Sequence, residues 1–464
     1  MNFVIIISDT LRRDHLGCYG NKWISTPNLD KLAAESVVFD HAYTGSFPTI
    51  PHRTDLFTGR YSFTYSDWSP LPREEVVLSA VLTEAGYTTM FIADTPHLIK
   101  DGYHFDRGFS GWEWIRGQEN DRYRTDPLEV DMPCDPEKLR ATARTVTQYL
   151  RNTDARRFEE DYFAPRTMAQ AARWLERNYR GEKFFLHVDT FDPHEPWDPP
   201  QWYVDRYDPG YAGEEVIYPI YAPADYLTAA ELKHMRALYA GEVTMVDRWV
   251  GRLMEKMEDL GLLEDTVVIF FTDHGFYLGE HGLTGKVVNI YEEVGHVPLL
   301  IRLPGGRNAR RVDAFAQAPD IMPTILEMAG LPPTGTTHGQ SLVGVLEGKG
   351  KSGREIAVSS WSIIHEPMDT KPVELNPYTW AKAAWRTKPS TVTTREWALI
   401  CGAPDTAPEL YHLPDDPAQE RNVIKEHPEV ARKLHGEYVK FLESVGTKEE
   451  YLKHRRTLKL EGAS

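Results

Sequence analysis

Five short runs of β-branched and aromatic residues, Phe3–Ile7, Thr89–Ile92, Phe184–Val188, Val267–Thr272 and Val297–Arg302, alternate with segments of helical periodicity. Strands this apolar must be buried on both faces. The alternation therefore predicts a mostly parallel central sheet covered by helices on both faces, an α/β fold. The covering helices are expected over Asn28–Ser36, Leu78–Ala85, Pro165–Tyr179, Ala229–Leu260 and Asp320–Ala329. Thr26-Pro27 reads as a capping hydroxyl ahead of a proline at the first helical position. Residues 100–165, rich in Asp, Arg and Trp, read as an insertion over one edge of the sheet, and the polar stretch 366–392 as a connecting loop. A last unit holds a strand, Trp397–Cys401, and a helix from about Pro428 to Ser444. The expected division is a catalytic domain over 1–365, carrying the insertion at about 100–165, and a smaller C-terminal α+β subdomain over 366–464.

With 464 residues, 41% of them hydrophobic, the chain can bury a sizeable core. It has no run of 18 apolar residues that would span a membrane. Phe3–Ile7 follows Met1-Asn2 without a basic region before it or a small-residue cleavage site after it. It reads as the first strand of a cytoplasmic protein rather than as a signal peptide. Cys18, Cys134 and Cys401 lack metal-binding spacing, and a sparse, odd count fits a reducing compartment. The formal net charge of −17 excludes nucleic acid and anionic membranes as general partners, since both need a basic footprint. A small anionic ester substrate remains open, because it needs only a local positive pocket. Trp112, Trp114 and Tyr123, set in a polar insertion, suit an interface between copies of the chain in a homo-oligomer.

Ligands of open α/β sheets bind beyond the carboxyl ends of the strands. Asp9 follows the first strand, Asp94 the second, His187 and Asp189 end the third, and Asp273-His274 follow the fourth. In Phe270-Phe271-Thr272-Asp273-His274-Gly275 a carboxylate and an imidazole stand side by side where a glycine lets the backbone turn, a pair able to bind one divalent cation. In Ser46-Phe47-Pro48-Thr49-Ile50-Pro51-His52-Arg53 a hydroxyl opens a predicted helix, whose N-terminus favours anions. Thr49 is there a candidate nucleophile activated by metal, and Arg53 a ligand for substrate oxygens. Asp189-Thr190-Phe191-Asp192-Pro193-His194-Glu195-Pro196 holds a histidine in a proline-braced loop, and Lys286 closes a short loop after Asp273-His274. Taken singly, each has an ordinary reading as a cap, a turn or a surface charge. Their joint order carries the argument.

That order resembles the sulfatase family, within the alkaline phosphatase superfamily. The resembling residues run from Asp9-Thr10-Leu11-Arg12-Arg13-Asp14-His15 through Thr26-Pro27-Asn28, Thr49-Ile50-Pro51-His52-Arg53 and Thr58-Gly59-Arg60. They continue through Pro193-His194-Glu195-Pro196, Asp273-His274-Gly275, Gly279-Glu280-His281-Gly282, Lys286, Gly339-Gln340-Ser341-Leu342 and Glu409-Leu410-Tyr411. The resemblance implies an alkaline-phosphatase-like fold and an enzyme that hydrolyses sulfate or phosphate/phosphonate esters. It implies a metal on Asp9, Asp273, His274 and Thr49, with Thr49 as nucleophile and Arg53, His97, His194 and Lys286 lining the anion pocket.

The pattern departs from sulfatases at the nucleophile. They carry a Cys or Ser, matured to formylglycine, within C/S-x-P-x-R, whereas Thr49 stands here. Thr10 replaces a second carboxylate after the first strand, and Thr95-Pro96-His97 lacks the family's lysine at that place. These departures resemble the phosphonate monoester hydrolase/phosphodiesterase branch. The nitrogen-richer donor set favours Mn or Zn over Ca. The expected activity is hydrolysis of phosphodiesters or phosphonate monoesters. The alternatives are a sulfuric ester hydrolase working without formylglycine, and a binding protein that has lost catalysis. A second metal on Asp189, Asp192, His194 and His338 is a further alternative.

Overall fold

The computed structural model describes residues 1–140, 144–335, 337–350, 353–364, 388–402 and 407–460. The chain divides into two compact units, Met1–Val38 with Arg73–Gly285 and Pro298–Val312, and Phe39–Pro72 with Lys286–Val297 and Asp313–Ser464. The boundary expected after residue 365 falls outside the described residues.

The larger sheet has eight strands, six of which lie wholly within the first unit. Its order is Arg310–Ala316, Val37–Ala42, Leu299–Arg302, Thr266–Phe271, Asn2–Ser8, Phe184–Thr190, Thr88–Ala93 and Gly111–Trp114. The five strands from Thr266–Phe271 to Gly111–Trp114 are parallel, and Leu299–Arg302 joins them antiparallel. Asn2–Ser8 and Phe184–Thr190 are buried along their whole length, as a sheet covered on both faces requires. The register pairs Ile7 with both Phe271 and Asp189, so three strands reach one rim at the same level. The stretch expected as an insertion over the sheet instead supplies its edge strand, Gly111–Trp114, and a helix, Arg144–Thr153. Its Gly-Trp-Glu-Trp is too short and too polar to stand out as a strand in sequence.

The helices Pro27–Ala34, Phe163–Asn178 and Ala229–Asp259 pack their apolar residues into the same core as Val4, Ile6, Leu186 and Val268. Thr228 and Glu231 form a reciprocal capping box at the start of the longest of them. Pro27 opens its helix as expected, but Thr26 does not cap it. The Thr26 hydroxyl accepts from the Gly17 N–H (2.9 Å) instead. The cap comes from a distant residue: buried Asp247 accepts from the Asn28 N–H (3.2 Å), the Leu29 N–H (2.7 Å) and the Asn28 amide (2.8 Å). Burial pushes the Asp247 carboxyl up to about 6 against these three donors. Replacing Asp247 with Ala strands the buried Leu29 N–H and the half-buried Asn28 N–H and is expected to destabilise the protein by about 1–3 kcal/mol. A denaturation midpoint unchanged in Asp247→Ala would contradict this account of the cap.

The second unit holds a five-stranded sheet in the order Glu409–His412, Trp397–Cys401, Ser390–Thr393, Ala357–Trp361 and Ser46–Phe47. The first four strands are antiparallel, and Ser46–Phe47 lies parallel to Ala357–Trp361. The expected helix is present over Pro428–Ser444, where Leu434, Tyr438 and Leu442 pack with Val392 and Leu399. The predicted loop loses its last residues to the strand Ser390–Thr393, while residues 366–387 lie outside those described. Among the described residues no helix is long and apolar enough to cross a membrane.

Candidate metal centre and active site

Asp9 leaves the central strand, and its N–H donates to the Thr190 carbonyl of the neighbouring strand (2.9 Å). Asp273 and His274 leave Thr266–Phe271 on the other side. All three side chains are fully buried, and one ligand atom from each lies within 4.8 Å of the other two. Among the described residues this is the one such group of His, Cys, Asp and Glu. The His274 Nδ1 lies 3.0 Å from the Gly275 carbonyl, which can only accept, so this nitrogen carries the proton. That leaves the lone pair on Nε2, 3.3 Å from Asp273 Oδ2. An imidazole whose distal N–H is fixed by a carbonyl, facing two carboxylates, fits a divalent metal ion.

The loop that carries Asp9 is held in an uncommon conformation. Thr10, a β-branched residue, has φ +62°, which costs on the order of 1–3 kcal/mol. Its surroundings repay this strain. The Thr10 N–H donates to Asp273 Oδ1 (3.0 Å), its hydroxyl donates to Asp9 Oδ1 (2.7 Å), and its carbonyl accepts from the Tyr239 hydroxyl (2.8 Å). Tyr239 accepts in turn from the Arg12 N–H (2.8 Å), and buried Arg12 pairs with Asp14 (2.6 Å) and Glu280 (2.9 Å). Thr10 therefore orients the two carboxylates at the place where a further ligand was absent from the sequence. Tyr239, 229 positions away in the middle of a helix, carries no local signal.

The other rim residues divide by role. Asp94 accepts from the Thr167 hydroxyl (2.7 Å), the Thr190 hydroxyl (2.9 Å) and the Phe191 N–H, which makes it a brace for the loop after the third strand. Asp189 accepts from the Thr95 hydroxyl (2.7 Å). His187 does not reach the rim: its ring sits edge-on to Phe91 (5.3 Å), Phe109 and Phe185, within the sheet layer.

His97 and His194 are joined by one network. His97 Nε2 pairs with Glu119 Oε2 (2.9 Å), and His194 Nδ1 donates to the Glu195 carbonyl (2.6 Å) and lies 3.2 Å from Glu195 Oε2. A single guanidinium, Arg140, bonds both carboxylates, Glu119 (3.2 Å) and Glu195 (2.9 Å), and stacks over Tyr218 and Tyr221. Burial alone would raise the Glu119 carboxyl, but His97, then Arg140 and the Tyr218 hydroxyl, hold it down at about 2. Neither Glu119 nor Arg140 was legible as a site residue, since both lie in the irregular 100–165 stretch.

The alternative second metal site is not assembled. Asp192 accepts from the Gln118 amide (2.7 Å) and the Ala164 N–H (2.9 Å), and Asp189, Asp192 and His194 form no second trio among the described residues. His338 belongs to the second unit, where its Nδ1 accepts from the Tyr61 N–H (3.1 Å). A neutral imidazole used this way carries its proton on Nε2 and has no lone pair left for a metal. Burial, then Arg60, pushes His338 down to about 4, so it stays neutral.

Thr49, Arg53 and Lys286 also belong to the second unit, and all three are buried. Thr49 is the first residue of the buried helix Thr49–Thr58, and Arg53 follows four positions on, which places both on one face. The helix ends at Gly59 with φ +68°, where a Cβ would meet Thr337 at 2.8 Å. The Gly59 carbonyl accepts from the His338 and Gly339 N–H groups (2.8 and 3.0 Å), so the two glycine motifs brace each other. Asp55, on the same helix, accepts from the Ser46 N–H (2.8 Å), the Ser46 hydroxyl (2.7 Å) and the Ser62 N–H (2.7 Å).

Burial pushes the Asp55 carboxyl up to about 7, against these donors. An acid raised in the folded state stabilises fully below its unfolded pKa near 3.8, and that contribution is lost as pH rises through about 7. The protein is therefore expected to lose thermal stability between about pH 4 and 7, by at most about 1.4 kcal/mol per pH unit from this group. Asp55→Asn should flatten that part of the curve. Parallel melts at the two pH values check it, and an unchanged slope in the variant would remove Asp55 from the explanation.

Comparison with known proteins places this geometry. The family model described as "Sulfatase" matches residues 1–331, and the one described as "N-sulphoglucosamine sulphohydrolase, C-terminal" matches residues 279–444. The chain belongs to the sulfatase family, within the alkaline phosphatase superfamily, and is an ester hydrolase of that class. It is 27% identical to an arylsulfatase of Clostridium perfringens over 76% of this chain and 80% of that protein. It is 28% identical to a multifunctional alkaline phosphatase superfamily protein of Trinickia caryophylli over 75% and 77%. The fold is that of the crystal structure of a phosphonate monoester hydrolase of Agrobacterium radiobacter, with TM-score 0.74, 22% identity and 96% of each chain covered.

Proposed function

We propose that this chain hydrolyses phosphodiesters or phosphonate monoesters, with Thr49 as the nucleophile. The observation that carries this reading is a threonine, with no cysteine or serine, at the first position of a buried helix whose next turn presents Arg53. Threonine cannot be matured to formylglycine. A formylglycine hydrate expels sulfate by collapsing to an aldehyde, whereas a threonine ester must be cleaved by water at the central atom. Phosphorus tolerates that second attack better than sulfur does.

Asp9, Asp273 and His274 would hold the metal with Thr49, and the mixed oxygen and nitrogen set favours Mn or Zn over Ca. Such an ion supplies Lewis acidity to the ester oxygens and lowers the pKa of a hydroxyl. In this reading the Thr49 oxygen attacks phosphorus, the ester bond to the organic arm breaks, and water later cleaves the Thr49–phosphoryl bond. Arg53 and Lys286 bind the non-bridging oxygens. His97 and His194, oriented through Glu119 and Glu195, exchange the protons of the leaving oxygen and the incoming water.

Acid quench during turnover of a phosphodiester tests the reading. The expected result is a phosphoryl adduct on the peptide that contains Thr49, absent from Thr49→Ala. Turnover with that peptide unmodified throughout would refute nucleophilic catalysis by Thr49. Sulfate-ester hydrolysis without formylglycine is the second reading, favoured by the match of the C-terminal half to the sulphohydrolase model and by the arylsulfatase relative. A binding protein without catalysis is disfavoured, because the buried trio and the histidine network are intact.

A further inference from the structure

The chain as a whole is strongly acidic, yet one cleft of the first unit is basic. It has a volume of ≈ 640 Å³, the size of a small-molecule site, and lies within the 100–165 stretch. Four cations line it, Lys100, Arg122, Arg144 and Arg151, against one carboxylate, Asp101. Asp101 is paired with Arg122. Among the described residues none of Lys100, Arg144 and Arg151 has a carboxylate partner. Lys100 donates to the neutral Asn120 amide oxygen, and Arg151 Nη1 donates to the neutral Gln148 Oε1 (3.1 Å). The Arg151 Nε is buried without a hydrogen-bond partner. Three uncompensated cations in a concave polar surface focus a positive potential that the rest of the chain opposes.

The cleft is continuous in sequence with the candidate active site. Lys100 lies three residues beyond His97, and Asn120 directly follows Glu119, the carboxylate that pairs with His97. We infer that this cleft is a subsite for a second oxyanion, a phosphate, sulfate or carboxylate on the organic arm of the substrate. The natural substrate is then a polyanionic ester. This deepens the reading of the chain as a hydrolase of anionic esters and rests on it. Aryl or alkyl arms gain nothing from such a lining, which offers ammonium, guanidinium, amide and hydroxyl donors. Arg144 and Arg151, on one helix and seven residues apart, share a face and suit bidentate contact with a tetrahedral oxyanion.

Two thymidine probes separate the possibilities: thymidine 5′-(4-nitrophenyl phosphate), and the same ester carrying a 3′-phosphate. The expected result is a kcat/KM about tenfold higher for the 3′-phosphorylated ester, the size of one charge-assisted contact. That advantage should shrink with added salt and vanish in the double variant R144Q/R151Q, with the singly charged ester turned over as before. Calorimetric titration of thymidine 3′,5′-diphosphate against thymidine 5′-phosphate, repeated on Thr49→Ala, reads the subsite without catalysis. A failed nucleophile assignment therefore leaves this test intact. Equal binding of the two nucleotides by the wild type, or an advantage retained by R144Q/R151Q of unchanged melting temperature, overturns the subsite.

Discussion

Thr49→Ala is expected to lower kcat for phosphodiester hydrolysis by about 10⁴-fold or more, with little change in stability. Removing a nucleophile forfeits the covalent route entirely and leaves only what binding and electrostatics supply, and losses of this order follow in hydrolases that work this way. Stability is expected to hold because Thr49 contributes a small side chain at the first turn of its helix, where alanine is a good helix former. The helix keeps its brace through Asp55 and its terminus at Gly59. Thr49→Ser, with mass spectrometry showing the serine unconverted, restores a hydroxyl at the same place and should recover most of the rate. Steady-state kinetics on the purified variants measures this, and a Thr49→Ala enzyme within tenfold of wild type would mean that another group attacks.

Asp273→Asn is expected to empty the metal centre and lower kcat by about 10³-fold or more. The amide keeps an oxygen that can accept from the Thr10 N–H and the His274 N–H, which now bond Asp273 Oδ1 at 3.0 and 2.8 Å. The strained loop at Thr10 can therefore persist while one of the two carboxylate charges is lost. Metal analysis of the purified protein should show about one ion per chain for the wild type and a small fraction of that for the variant. Exhaustive chelation of the wild type should abolish turnover and lower the melting temperature, since a ligand at a thousand times its Kd contributes about 4 kcal/mol. Full metal content together with full activity in Asp273→Asn would separate the trio from the reaction.

The rim of the sheet was legible in sequence because parallel strands announce themselves as unbroken apolar runs, and whatever follows them faces one side. Asp9, Asp273 and His274 came together for that reason. The same rule misled at His187, which precedes the strand end and packs against Phe91 of the neighbouring strand. Local rules also misled at Thr26, where the cap comes from Asp247 across 219 positions. Tyr239, Glu119 and Arg140 were invisible for a related cause: each acts through contacts set by the tertiary fold, and two of them lie in a stretch without periodicity. His338 looked like a metal ligand by residue type, and only its bond from the Tyr61 N–H shows that its acceptor nitrogen is engaged.

The most direct test of the central claim is the release of 4-nitrophenol by the manganese-loaded enzyme from three esters, bis(4-nitrophenyl) phosphate, 4-nitrophenyl phenylphosphonate and 4-nitrophenyl sulfate, with Thr49→Ala alongside. The account predicts that both phosphorus esters turn over with kcat/KM far above that of the sulfate, and that Thr49→Ala loses both activities. A sulfate ester hydrolysed fastest, by an enzyme that still carries an unmodified threonine at position 49, would contradict it.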